Sequence, residues 1–134
     1  MSENLLFIPI ETKVREYHGK MLFALAAAER GFACIIGEQG RLRRAMSYLD
    51  NGRFIDKSIA DTKREWLAHC RALGNRLVSW DEEGLVFFNR ESYCGLRICE
   101  ENFMLLDAFF AWGENQATAI HEHTELDKKK IYVT

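Results

Sequence analysis

Three acids in a row, Asp81, Glu82 and Glu83, stand in the stretch SWDEEGLVFF (residues 79–88), between an apolar run and a glycine. A carboxylate beside a sugar or glycerol hydroxyl can take its proton as that hydroxyl attacks an activated phosphate or an anomeric carbon. Lysines and arginines on neighbouring loops could hold the phosphate oxygens. The plainer role for such acids is a solvated corner, or a cap on the next helix. Four other clusters mix charge with small residues: Glu11-Thr12-Lys13 with Arg15, Glu38-Gln39-Gly40, Asp56-Lys57-Ser58, and Gly113-Glu114-Asn115-Gln116.

Several familiar chemistries lack their signatures. Gly37-x-x-Gly40 is not the G-x-G-x-x-G fingerprint, so a dinucleotide cofactor is unsupported. There is no Walker A sequence, no G-x-S-x-G elbow and no H-E-x-x-H. His121 and His123 are two apart and point in different directions on a helix, so no metal site is expected there. Arg41, Arg43 and Arg44 lie near a helix start, where they could hold a phosphate or form a solvated basic face.

The elements that would position these clusters alternate along the chain. Leu5–Ile10 is a continuous apolar run, as in a strand buried on both faces, with Pro9 best placed where its pairing ends. Val14, Tyr17, Met21, Leu25 and Ala28 follow at helical spacing and predict the core face of a helix that stops at Gly31. Residues 32–36 read as a second buried strand, and 40–49 as a short basic helix. Residues 53–55 read as a third strand. Ser58 and Asp61 resemble a capping box before a helix with Trp66, Leu67, Cys70 and Leu73 on one face. Residues 76–80 form strand four. Asn89 is a plausible cap for a helical stretch to about Asp107, broken near Gly95 and Cys99. Residues 108–112 form strand five, Gly113 opens a helix to about His123, and 130–133 form strand six.

This alternation predicts one α/β domain over residues 1–134, a Rossmann-like open parallel sheet with helices on both faces. In such sheets ligands bind beyond the carboxyl ends of the strands. All five polar clusters fall there. Trp80 and Trp112 fall there too, where packing is the plainer role and a sugar platform the alternative, since aromatic faces suit sugars.

Composition narrows the class. Charged residues are 28% of the chain and the formal net charge is −2, which gives no electrostatic case for nucleic acid. No apolar run reaches the length of a membrane span, and the first residues lack the pattern of a signal peptide. A cytoplasmic location is expected. Cys34, Cys70, Cys94 and Cys99 show neither a C-x-x-C pair nor zinc spacing, and read as free thiols.

Four segments together resemble one family: IPIETKVRE (8–16), DKS (56–58), WDEEGLVFF (80–88) and FFAWGENQ (109–116). They are similar to bacterial surface carbohydrate biosynthesis proteins, those of capsule and O-antigen clusters. These have a GT-B architecture, similar in outline to CDP-glycerol glycerophosphotransferases. The resemblance runs from about Leu5 to Thr134. It implies the N-terminal, acceptor-side domain of a longer two-domain transferase, inactive alone. A nucleotide-activated donor would sit in the second domain, with no cofactor and no metal in this one. It implies as partners that C-terminal domain, a saccharide or polyol-phosphate acceptor and other capsule assembly proteins. Peripheral attachment at the inner membrane would then come through partners.

On the matching segments, Glu82 or Glu83 is the expected general base. Glu11, Lys13, Arg15, Asp56, Lys57, Ser58, Asp81, Gly113 and Gln116 are the expected substrate-binding residues. A domain separated from its partner should expose apolar surface and self-associate as a dimer. The alternative to a transferase is a noncatalytic scaffold module of a polysaccharide assembly complex. A self-contained flavodoxin-like binding domain is a third reading.

Overall fold

The computed structural model describes residues 4–134. The chain runs β1 (Leu5–Ile10), α1 (Lys13–Ala28), β2 (Ala33–Glu38), α2 (Gln39–Ala45), β3 (Arg53–Asp56), α3 (Arg64–Ala72) and β4 (Arg76–Trp80). It continues with α4 (Arg90–Arg97), α5 (Glu100–Leu105), β5 (Ala108–Ala111), α6 (Glu114–His123) and β6 (Ile131–Val133). The six strands are parallel and form one sheet in the order β2-β1-β3-β4-β5-β6. The fold is therefore α/β and Rossmann-like. The order begins 2-1-3-4-5, as in flavodoxin-like sheets, rather than 3-2-1-4-5-6 as in paired dinucleotide-binding halves.

Two compact units make up the chain. One comprises Met1–Ile55 and Leu73–Arg76, the other Asp56–Ala72 and Leu77–Thr134.

In the first unit β1 pairs with β2 along its whole length, Leu5 opposite Ala33 through Ile10 opposite Glu38; β2 is not the buried strand expected but an edge strand, covered only in part because it has one neighbour. Pro9 lies beyond the pairs that β1 makes with β3, which are Leu6–Arg53 and Phe7–Phe54. A residue with no N–H is thus kept out of the ladder on that side. Phe7, Ile8 and Phe54 are fully buried.

The buried face of α1 is Glu16, Lys20, Ala24 and Ala27, not the predicted apolar stripe. Val14 is 95% exposed and Leu25 58%, Ala28 is also exposed, and Tyr17 and Met21 are only half-buried. The reason is local chemistry that an apolarity pattern does not register. The alanines let the helix approach the strands closely. The two charges satisfy each other and the backbone. Lys20 Nζ donates to Glu16 Oε2 at 2.8 Å and to the Pro9 carbonyl at 2.6 Å. Glu16 also accepts from the backbone N–H groups of Glu11 (3.0 Å) and Thr12 (3.1 Å), so its carboxylate closes the start of α1.

The second unit pairs β4 with β5, Val78 opposite Ala108, and β5 with β6, Phe109 opposite Ile131. Leu67, Leu77, Phe103, Phe109 and Ile120 form its core. Asn89 does cap α4, accepting from Ser92 N at 2.8 Å. The stretch that follows breaks at Ile98 and Cys99, where Ile98 bridges to Ile59 as isolated β-structure. The expected capping box does not form. Ser58 Oγ accepts from Ala60 N (3.2 Å), a 3₁₀ turn occupies Asp61–Lys63, and α3 starts only at Arg64. All four cysteines are free.

Burial alone would raise the Glu16 carboxyl pKa, but its hydrogen bonds from Lys20, Glu11 and Thr12 and the Lys20 charge bring it from 4.5 to about 2. Its contribution to stability is complete above its ordinary value and is lost as pH falls through 4.5 toward 2. Urea titrations should show Glu16→Gln less stable at pH 7 by about 3 kcal/mol. The gap between variant and wild type should narrow below pH 4. A gap that stays constant from pH 7 to 3 would remove this role.

Candidate functional site at the carboxyl ends of the strands

The acid loop leaves β4 as a tight turn, with Gly84 N donating to the Asp81 carbonyl at 2.9 Å. Its three carboxylates have three different environments. Asp81 is fully buried and bound by Arg97 of α4, whose Nη2 donates to Oδ1 and whose Nε donates to Oδ2 at 3.2 Å. That is a bidentate guanidinium–carboxylate pair, the geometry that best offsets the desolvation of a buried charge. Glu83 is exposed and also pairs with Arg97, through Nη1 at 3.0 Å. Glu82 is half-buried and accepts from the Trp80 indole N–H at 3.0 Å.

A chain of hydrogen bonds runs inward from Asp81. The Tyr93 hydroxyl lies within the field of its carboxylate. Gln116 Nε2 donates to that hydroxyl at 2.6 Å, and Gln116 Oε1 accepts from Trp112 N at 2.7 Å. The Trp112 indole N–H returns to the Asp81 carbonyl at 2.6 Å. Burial first, and then the Asp81 charge, push the Tyr93 phenol well above its usual range. The bond to Asp81 foremost raises Arg97 further. Gly84 lies directly against the Gln116 amide, where a Cβ would collide. Gly113 has φ +140°, a conformation that favours glycine, and stands at the start of α6.

The loop after β3 joins this assembly through the backbone, as Glu82 N donates to the Lys57 carbonyl at 3.1 Å. Asp56 is fully buried. Its Oδ1 accepts from Ser58 N (3.2 Å) and lies 3.3 Å from Lys63 Nζ, and its carbonyl accepts from Ser79 Oγ (2.9 Å). Asp56, Lys57, Ser58, Asp81, Glu82, Glu83, Gly113 and Gln116 thus all belong to the second unit. Asp56, Ser58, Asp81 and Gln116 are buried and shape the loops from within. Lys57, Glu82, Glu83 and Gly113 reach the surface.

Glu11, Lys13 and Arg15 belong to the first unit and are exposed there. Arg15 pairs with Glu16 at 3.2 Å, and Lys13 Nζ lies 5.8 Å from the Tyr17 ring centroid. Glu16 holds the corner between β1 and α1. Glu38 likewise fills the next one, accepting from Gly40 N (2.7 Å) and Arg41 N (2.9 Å). A phosphate at either corner would have to displace a carboxylate.

Sequence reasoning missed Arg97, Tyr93 and Glu16. Arg97 carries a signal only in its basic charge in the last turn of a helix. Among the described residues, no group of three or more His, Cys, Asp or Glu could hold a metal ion, and no helix is long and apolar enough to cross a membrane.

The class that the fold defines is thus a Rossmann-like α/β protein with polar loops at the carboxyl edge of its sheet. No protein-family model, curated protein or solved structure matches the chain.

Replacing Arg97 by Met should leave Asp81 charged and buried without its partner, at a cost of about 3–5 kcal/mol. Thermal unfolding measures this. A change within about 0.5 kcal/mol, the usual range for surface substitutions, would show that the pair does not organise the loop.

Proposed function

We propose that this chain is the acceptor-side domain of a sugar or glycerol-phosphate transferase of surface carbohydrate assembly. The observation that carries the reading is the junction of the DKS and DEE loops through Glu82 N and the Lys57 carbonyl. It brings two of the four family-like segments to one place, at the carboxyl ends of β3 and β4. There, surface carboxylates stand near a lysine, the groups needed to deprotonate a hydroxyl and to hold an anionic oxygen. The two candidate bases are not equivalent. Glu82 is held by an indole N–H, a neutral donor that fixes its orientation. Glu83 is held by the guanidinium of Arg97, a charged donor that already occupies its carboxylate. Glu82 is therefore the preferred base and Glu83 the supporting acid.

In a transferase assay on the product of the natural reading frame, Glu82→Gln should lower turnover by about 100-fold or more. Glu83→Gln should have a smaller effect, with melting temperatures unchanged in both. Undiminished turnover in both variants would remove the acid loop from the chemistry.

One observation favours the scaffold reading. The same loop extends three apolar side chains into solvent: Leu85, Val86 (88% exposed) and Phe88 (98% exposed). Exposed apolar clusters mark partner surfaces. If the chain is a scaffold, Val86→Asp with Phe88→Asp should abolish polysaccharide output in cells, while Glu82→Gln and Glu83→Gln leave it intact. The transferase reading requires output to fall with Glu82→Gln.

A further inference from the structure

We propose that Trp112, backed by Trp80, is a stacking platform for the apolar face of a saccharide ring. The idea rests on the acceptor reading above and gives that acceptor a ring to bind by. Trp112 directly follows β5 and is 43% exposed. Its N–H is already committed to the Asp81 carbonyl, and that of Trp80 to Glu82. Neither ring needs a ligand to satisfy its polar atom, so what remains to offer is the π face. Both bonds also fix ring orientation before any ligand arrives, which removes the ordering cost of binding. The ring centroids are 6.4 Å apart and tilted by 48°, so the two indoles meet at an angle rather than forming one flat wall. At the next residue the space is open, since a Cβ on Gly113 would meet nothing within 4 Å. The Glu82 carboxylate at the Trp80 edge is an acceptor suited to ring hydroxyls.

An aromatic face near carboxylates also suits an organic cation. One feature favours the sugar: two tilted rings do not enclose an ammonium group.

The test uses the whole 134-residue chain and its indole N–H resonances. Trp66, on α3, supplies an internal control among the three tryptophans. Probes are N-acetylglucosamine, methyl glucoside, glycerol and choline, each taken to about 100 mM because one platform gives weak affinity. The expected result is that at least one of the two ring sugars moves the Trp112 and Trp80 signals while Trp66 stays still. Trp112→Ala should weaken binding about tenfold, and Trp112→Phe should retain most of it. Melting curves of both variants separate lost stacking from lost fold. Sugar-induced shifts confined to other residues would overturn the platform and leave the saccharide reading standing. Shifts at Trp112 with choline alone, or with glycerol as large as with the ring sugars, would also overturn it. So would no response to any probe, and the transferase assay then judges the acceptor reading separately.

Discussion

The arrangement of the acid loop depends on one buried charge. Asp81 is sealed from solvent, and a lone carboxylate there would be prohibitively costly. Arg97 makes its burial tolerable, and the other groups around it follow from that pairing. Gln116 holds the Tyr93 hydroxyl and the Trp112 N–H, and the Trp112 indole bonds back to the Asp81 carbonyl. Such a network rigidifies when every member is satisfied and fails when one is missing. It explains why Gly84 must be small and why Gln116, deep in the helix face, is polar.

The same pairing divides the labour among three adjacent acids. Asp81 is the anchor and is out of reach of any ligand. Glu83 shares the anchor's arginine and remains at the surface. Glu82 turns the other way, to an indole. Three identical charges in a row thus become one structural ion pair, one compensated surface acid and one oriented carboxylate.

Strand positions were legible because short runs rich in apolar residues stand between glycines and charges. Residues 5–10 and 76–80 match the observed strands end for end. The Asn89 cap was legible for the same local reason. The core face of α1 was not. A periodicity argument ranks Val14 and Leu25 above Glu16 and Lys20, and no single-residue scale anticipates that two charges four apart will be buried together. The capping box at Ser58 failed because the Ser58 hydroxyl found a nearer N–H, at Ala60. In the acid loop the residues could be named from the sequence. Their sorting into buried and exposed could not, because it depends on Arg97, sixteen residues away in a separate helix.

Glu16 and Glu38 each fill the corner where a strand of the first unit turns into its helix. Backbone amides at such corners ordinarily welcome anions from solution. Here the protein supplies its own anions, covalently tethered and therefore present at an effective concentration that no free phosphate can match. The backbone N–H groups of Glu11, Thr12, Gly40 and Arg41 are thus spoken for by side chains of the same unit.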